Sequence, residues 1–301
     1  MKLIAIFNRD GGTFRTTDME AYAGRAQEVF SAAGHEIDCR VVAGSEIVEA
    51  MERAANEPGV EGLIAGGGDG TMSAAGAIAW RHGLALGVVP AGTMNLFARS
   101  LKLPLDIFQV LDVLAKGHVL HVDIATANDH TFIHQFSAGM HARMVRYRDS
   151  MNFASRLGKM RASTRAALGV VFNPPVFEVE FSTGENAGHH KVSAISVSNN
   201  EFGRDALMYA DDLTGGMLGF YFAEPLTPPR AMKLFFDILR GRLKENPAVT
   251  AMTAREIDLH FPKTRHDVRC VIDGELLPMA RDVHLRIHAG ELKVLVAPPA
   301  M

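Results

Sequence analysis

Four glycines and one aspartate stand where an apolar run gives way to a helical pattern, in the hexapeptide GGGDGT at residues 66–71. The run GLIA comes directly before it, and a stretch with helical spacing follows as far as about Trp80. A strand-to-helix turn commonly uses one or two glycines, whereas four allow backbone N–H groups to approach an anion closely. The N-terminus of the following helix also favours negative charge. The hexapeptide therefore predicts a phosphate-binding loop, and a plain turn is the alternative.

Two widespread phosphate-binding patterns do not describe this loop. The pattern G-x-G-x-x-G fails, because the sixth position is Thr71 when counted from Gly66 and Ser73 when counted from Gly68. No segment of the form G-x-x-x-x-G-K-[ST] occurs in the chain. The hexapeptide therefore indicates a different class of phosphate loop.

Strand-like and helix-like segments alternate over the first 120 or so residues. The runs KLIAIFN, EIDCRVV, GLIAG and GLALGVV predict four strands, and Thr17 with Glu20 forms a capping box for a helix that ends at Gly34. Beyond about residue 122, short apolar runs separated by turn residues predict mostly antiparallel strands, with helical segments near 141–169 and 229–245. The predicted fold is an α/β N-terminal domain with a doubly wound parallel sheet, followed by a β-rich second domain.

The change in pattern sets the expected domain boundaries at residues 1–122 and 123–288, with residues from about 289 to 301 as a candidate to pack back on the first domain. The net charge of −3 gives no basic field for nucleic acid, and no apolar run reaches the roughly 18 residues of a membrane span. The two cysteines and thirteen histidines show no metal-ligand spacing. We expect a cytoplasmic protein that can touch the inner face of a membrane.

GGGDGT together with PAGTMNLFARSL, at residues 90–101, resembles the diacylglycerol kinase catalytic domain. That family includes bacterial lipid kinases and sphingosine kinases and is distantly similar to NAD kinase and phosphofructokinase. DGE at 273–275 and NRDGG at 8–12 resemble two further motifs of the family, the second with Arg9 in place of the usual proline. The resemblance covers essentially the whole chain and implies ATP-dependent phosphorylation of a lipid hydroxyl at a membrane surface, with ATP and Mg²⁺ as cofactors.

The resemblance also assigns roles to single residues. Glu275 is implied as the acceptor of the hydroxyl proton, with Asp69 and Asp273 as acidic neighbours that share the catalytic site. A carboxylate can accept a proton or orient Mg²⁺, and the sequence leaves these two roles open. The implied ATP-binding residues are Asn8, Arg9, Asp10, Gly11, Gly12, Val42, Gly66, Gly67, Gly68, Asp69, Gly70, Thr71, Thr93 and Asn95.

Two positions depart from the family pattern. Gly215 stands where a metal-linked aspartate is usual, and His141 occupies an acidic position in GMHA. Asp211 and Asp212 could replace the missing acid, although their turn spacing is more typical of capping. The metal ligands are therefore unknown. A catalytically impaired nucleotide-binding regulator and an NAD kinase remain as alternatives, although PAGTMNLFARSL favours the lipid branch.

Two basic segments are candidates for contact with a lipid surface. Residues 141–170 contain seven cations and one acid, interleaved with apolar residues, which is typical either of a helix on anionic headgroups or of a solvated helix over a core. Residues 229–245 have a similar pattern and could instead cover the core or pair in a homodimer. The sequence does not identify the lipid.

Overall fold

The apolar runs of the N-terminal region form a parallel sheet in the computed structural model, which describes residues 1–149, 169–263 and 268–298. The two central strands are buried at every residue, as parallel strands covered on both faces are. The strands lie in the order β2–β1–β3–β4 and are β1 (Lys2–Asn8), β2 (Glu36–Val42), β3 (Gly62–Gly67) and β4 (Ala85–Pro90).

Helices connect these strands and pack on the sheet. An aromatic cluster of Phe7, Phe14 and Tyr22 lies under the first helix, with ring centroids 5.1–5.9 Å apart. Burial raises the pKa of Tyr22, whose hydroxyl donates a hydrogen bond to the Ile107 carbonyl at 2.8 Å. The helices are α1 (Met19–Ala32), α2 (Ile47–Ala55), α3 (Asp69–His82), α4 (Leu96–Ser100) and α5 (Gln109–Ala115).

The cap of α1 differs from the predicted capping box. Asp18, rather than Thr17, is the N-cap, and its carboxylate accepts hydrogen bonds from the backbone N–H groups of Glu20 and Ala21 at 3.1 Å. The hydroxyl of Thr17 donates to the Thr13 carbonyl instead. Gly34 does follow the helix end with φ +82°, as the predicted stop requires.

The chain divides into two compact units, one formed by residues 1–124 with the chain from 289 onward and the other by residues 125–288. In the first unit, Lys293 and Val294 pair in parallel with Ala85 and Leu86 of β4. They belong to the last strand, β16 (Asp282–Val296), which runs through both units, as does β5 (His118–Ala127).

The second unit is built from antiparallel strands. One of its sheets has six strands in the order β12–β11–β10–β7–β14–β15, and β16, β13, β8 and β9 pair in a second set. Phe181 on β8 contacts Phe220 and Phe222 on β11, so the two sets enclose a common core. Its strands are β6 (His130–Phe132), β7 (Gln135–Gly139), β8 (Phe177–Ser182), β9 (Ala187–Val192), β10 (Ala194–Ser198), β11 (Leu218–Ala223), β12 (Val249–Ala254), β13 (Glu256–His260), β14 (Arg269–Ile272) and β15 (Glu275–Pro278).

The helices α6 (Met140–Asp149) and α7 (Pro228–Leu239) accompany these sheets. The predicted helix over 229–245 is too long, because the chain turns at Gly241 with φ +67° and forms only a short 3₁₀ turn at Leu243–Glu245. Most of the predicted helix near 141–169, and most of its cations, lie outside the described residues. A parallel α/β unit and a β-rich second unit confirm the predicted fold class. Within the described ranges, no helix is both long enough and apolar enough to cross a membrane.

Candidate functional site

The residues predicted to bind nucleotide gather at one edge of the parallel sheet. Asn8 pairs with Val42 at the ends of β1 and β2, and Gly67 pairs with Pro90 at the ends of β3 and β4. The carboxyl ends of these four strands therefore meet at the same edge, which is where open α/β sheets bind ligands.

The GGGDGT hexapeptide turns directly from β3 into α3. Gly66 and Gly67 complete the strand, and Gly68 is the N-cap of α3 with φ −90° and ψ −175°. The N–H groups of its first turn have no intrahelical acceptor, as at any helix start, and no side chain of the described residues caps them. Gly70 lies inside that first turn and has no positive φ, so its backbone conformation does not require glycine.

The glycines of the loop separate into two kinds. A Cβ at Gly66 would lie 2.6 Å from the Phe7 ring, and one at Gly67 would lie 2.7 Å from the Thr71 Cβ, so packing requires glycine at both positions. A Cβ at Gly68 would meet only the Gly92 Cα at 3.5 Å, an ordinary contact, and one at Gly70 would meet nothing within 4 Å. The fold itself therefore does not require glycine at these last two positions, beside the uncapped helix end.

Asp69 joins the hexapeptide to the PAGTMN segment. Its carboxylate accepts hydrogen bonds from the backbone N–H groups of Asn95 at 3.0 Å and Leu96 at 2.6 Å. Each oxygen thus holds one amide at the start of α4. This contact orients the second segment beside the first, which is a positioning role.

The PAGTMN segment is also tied internally. The side chain of Asn95 is 8% exposed, accepts from the Gly92 N–H at 2.8 Å and donates to the Gly92 carbonyl at 3.2 Å. A Cβ at Gly92 would lie 2.6 Å from the Gly68 Cα, so the close approach of the two loops requires glycine at position 92. The Thr93 side chain is exposed at this edge. Asn95 therefore shapes the segment, and Thr93 presents a hydroxyl to solvent.

The NRDGG segment completes the edge. The Arg9 N–H donates to the Val42 carbonyl at 3.0 Å, a bond that the usual proline of the family could not make. Asp10 accepts from the Gly44 N–H at 2.8 Å. Gly11 is buried with its N–H on the Asn8 carbonyl, and Gly12 is exposed beside it. Sequence reasoning missed Gly44, because a lone glycine after a strand carries no distinguishing pattern.

DGE forms the turn of a hairpin in the second unit. Asp273 and Gly274 have φ +47° and +89° between β14 and β15, and Ile272 pairs with Glu275 across the turn. A two-residue hairpin with positive φ at both positions is typical of Asp-Gly. The turn therefore sets Glu275 as the first residue of β15.

The two acids of this turn have different surroundings. The Asp273 carboxylate accepts three backbone hydrogen bonds, from Ile133 at 2.9 Å, His134 at 3.0 Å and Gln135 at 2.9 Å. Glu275 is exposed and makes no hydrogen bond or ion pair with the described part of the chain. Of the three predicted catalytic acids, Asp69 and Asp273 hold backbone amides and only Glu275 presents an uncommitted carboxylate.

The positions that depart from the family pattern do not form a metal cluster. The His141 Nδ1 is hydrogen-bonded to the Ser137 hydroxyl at 2.6 Å. Asp212 accepts from both the N–H and the hydroxyl of Thr214, which is a local capping turn. Among the residues that the structure describes, no three His, Cys, Asp or Glu side chains are grouped as metal ligands.

Comparison with known proteins matches the diacylglycerol kinase catalytic domain to residues 2–127. A diacylglycerol kinase of Staphylococcus saprophyticus is 30% identical over 231 residues, which cover 71% of this chain and 70% of the relative. This chain belongs to the diacylglycerol kinase family. Another diacylglycerol kinase, from Staphylococcus aureus strain JH9, is 33% identical over 187 residues, 62% of this chain and 53% of the relative.

The fold is shared over a greater length. The crystal structure of a diacylglycerol kinase from Bacillus anthracis str. Sterne has a TM-score of 0.73, with coverage of 100% of this chain and 98% of that one, at 16% identity. In sequence, the chain spans about half the length of the Staphylococcus aureus relative that it matches. Its activity and substrate therefore depend on evidence from its own residues.

Proposed function

We propose that the protein is an ATP-dependent kinase that phosphorylates the hydroxyl of a diacylglycerol-like or related lipid. The observation that carries the proposal is the uncapped end of α3, where Gly68 and Gly70 are glycine without any packing need for it. Membership of the diacylglycerol kinase family supports the same reading.

The donor set at the sheet edge fits a nucleotide polyphosphate. First-turn N–H groups of a helix bind phosphate, and glycine lets the anion reach them. The exposed hydroxyl of Thr93 can add a hydrogen bond, while Asp69 and Asn95 keep the second segment in place. When bound, ATP supplies the transferred phosphoryl group.

Mg²⁺ fits this protein best as an ion that the nucleotide carries. Mg²⁺ keeps several waters and usually binds through one or two carboxylates together with substrate phosphates. The described residues offer no group of three metal ligands, and Asp212 is engaged in its own turn. The phosphates would then be the main ligands of the ion, which neutralises their charge.

Glu275 is the proposed base. The reaction transfers the γ-phosphoryl group of ATP to the lipid oxygen, leaves ADP, and releases the hydroxyl proton, which a carboxylate accepts. An exposed carboxylate without a protein partner can take that proton at no cost in existing contacts. Asp69 and Asp273 would lose two or three backbone hydrogen bonds in the same role.

A lipid substrate also implies a peripheral contact with the cytoplasmic face of a membrane. Phe236 and Leu239 on α7 are 45% and 51% exposed and lie on the helix that carries the second basic segment. Such side chains could meet lipid or a second copy of the chain. Sedimentation with vesicles, together with light scattering of the free protein, separates the two.

The test is transfer of labelled phosphate from ATP to a panel of lipids in mixed micelles. We expect a labelled lipid that depends on Mg²⁺ and is lost in Glu275→Gln. The proposal is wrong if no lipid is labelled while NAD is, which would indicate an NAD kinase. Nucleotide binding without any transfer would instead indicate a regulator.

A further inference from the structure

The second unit contains a cavity of about 870 Å³. Its volume lies within the roughly 300–1,000 Å³ of small-molecule pockets. Part of the wall is apolar and is made by Ala138, Ala142, Val176, Phe177, Phe261 and Met279. A wall of this kind suits a hydrocarbon chain.

The polar part of the wall is strongly basic. Five cations line the cavity against one carboxylate, Glu178, and they are Arg143, Arg146, Lys191, Lys263 and Arg269. Glu178 accepts a hydrogen bond from Lys263 at 2.8 Å, which holds the pKa of that carboxyl below its usual range. The single acid is therefore already paired with one of the cations.

Arg143 and Arg146 have no compensating carboxylate among the described residues, whereas Lys191 lies opposite Glu178 in the β8–β9 pairing and helps to lower the pKa of that carboxyl without a direct ion pair. Arg143 donates to the Asn173 carbonyl at 2.9 Å and to the Tyr147 hydroxyl, so its partners are neutral. Arg146 and Lys191 make no ion pair with the described part of the chain. They come from α6 and β9, so two separate elements direct positive charge to one cavity.

The mouth of the cavity is apolar as well. Val176 and Val268 are 54% and 38% exposed, and Tyr147 is 36% exposed. Exposed apolar groups beside cations are typical of surfaces that meet anionic lipid. The arrangement differs from what a neutral diacylglycerol needs, since that lipid has no charge for the cations to meet.

We propose that this cavity binds an anionic glycerophospholipid that carries a free hydroxyl in its headgroup, with acyl chain on the apolar wall and phosphate at Arg143, Arg146 and Lys191. The proposal rests on the lipid kinase function above and defines its substrate class as a lipid that is already charged. The ligand needs both an acyl chain and a phosphate, because the apolar wall offers nothing to a charge and the cations offer nothing to a hydrocarbon chain.

Calorimetric titration with monomeric short-chain lipids tests this, without ATP and below the micelle threshold. The probes are dihexanoyl phosphatidylglycerol, dihexanoylglycerol and glycerol 3-phosphate. We expect the anionic lipid to bind at least tenfold more tightly than either of the others. Free glycerol phosphate binding as tightly as the lipid would show a plain anion site, and equal affinity of the two lipids would show no charge recognition. Either result overturns the proposal.

The variant Arg146→Gln with Lys191→Gln removes two cations and leaves the apolar wall. A cation near an anionic lipid surface contributes about a fivefold gain, so the pair should weaken binding of the anionic lipid roughly 30-fold at low salt. Affinity for the neutral lipid should stay the same. Arg255→Gln is the matched control, because Arg255 is an exposed cation of the same unit outside the cavity. Unchanged affinity in the double variant contradicts the proposal.

Labelled ATP then separates the two proposals. Phosphorylation of diacylglycerol alone would overturn the anionic substrate and leave the lipid kinase standing. Tight binding of the anionic lipid without phosphate transfer to any lipid would support the cavity and refute the kinase.

Discussion

Gly68→Ala isolates the phosphate loop from the fold. The new Cβ would lie 3.5 Å from the Gly92 Cα and near no other heavy atom, so the protein has room for it. The backbone angles of φ −90° and ψ −175° are open to alanine. Replacing the N-cap glycine lowers the free energy of unfolding by up to about 1 kcal/mol. Alanine also reduces the conformational entropy of the unfolded chain, which raises the free energy of unfolding by about 0.4–1 kcal/mol. Stability should therefore change by less than about 1 kcal/mol.

The effect of Gly68→Ala on the affinity for nucleotide should be much larger than its effect on stability. A methyl group at this position would hold phosphate away from the N–H groups at the start of α3, and a hydrogen bond to a charged group contributes about 1.5–3 kcal/mol. Loss of one such bond raises the Kd for ATP by about 10- to 150-fold. Calorimetric titration with a non-hydrolysable ATP analogue gives the Kd, and thermal unfolding gives the stability.

Two further variants make this result specific. Gly24→Ala lies in α1 with nothing within 4 Å of the new Cβ, so it should raise helix stability by about 1 kcal/mol and leave the Kd unchanged. Gly67→Ala places its Cβ 2.7 Å from the Thr71 Cβ and should destabilise the fold by about 1–3 kcal/mol. The reasoning is refuted if Gly68→Ala folds normally and binds the ATP analogue as tightly as the wild type.

The acids give three further predictions. Glu275→Gln should lower kcat by on the order of 10²-fold with little change in the Kd for ATP, because a base acts in the transition state and not in nucleotide binding. A near-normal kcat in steady-state kinetics would contradict this. Asp273→Asn should lower the free energy of unfolding by about 2–3 kcal/mol in urea titration, since the NH₂ group of the amide would face a backbone N–H. If this variant were as stable as Glu275→Gln, the anchoring role would be refuted. Asp69→Asn should loosen Asn95 and Leu96 and raise the Kd for ATP along with a loss of stability, whereas a loss of kcat alone would return the base role to Asp69.

The sequence predicted the elements best where one local pattern decides them. EIDCRVV is β2 from its first residue to its last, because the alternation marks a half-buried edge strand. The run HKVSAISVSN at residues 190–199 predicts a single strand, but it contributes to two, since the chain breaks at the fully buried Ser193. The Ser193 N–H donates to Ala223 and its hydroxyl accepts from Leu226, contacts that no local pattern contains.

The basic cavity was beyond sequence reasoning for a similar reason. Arg143 and Arg146 belong to a predicted basic helix, whereas Lys191 and Lys263 are single cations on other elements, with no pattern in the sequence around them. Only the fold brings α6, β9 and the segment after β13 around one space. Four further cations of the predicted basic segment, Arg156, Lys159, Arg161 and Arg165, lie outside the described residues, so their membrane contact stays a prediction.

The tripeptide DGE shows why a turn and a catalytic motif were not true alternatives. In the sequence, Asp273-Gly274 is typical of a hairpin turn, whereas the family resemblance implies Glu275 as a base, so a turn and a catalytic motif are competing interpretations. Both interpretations are compatible with the structure, because Asp273 anchors the turn to residues about 140 positions earlier and so fixes the register in which Glu275 begins β15 with an exposed carboxylate. GGGDGT divides in the same way, with Asp69 as the anchor and the neighbouring N–H groups open to a ligand. An aspartate that holds backbone amides next to a group without such contacts is thus common to both motifs.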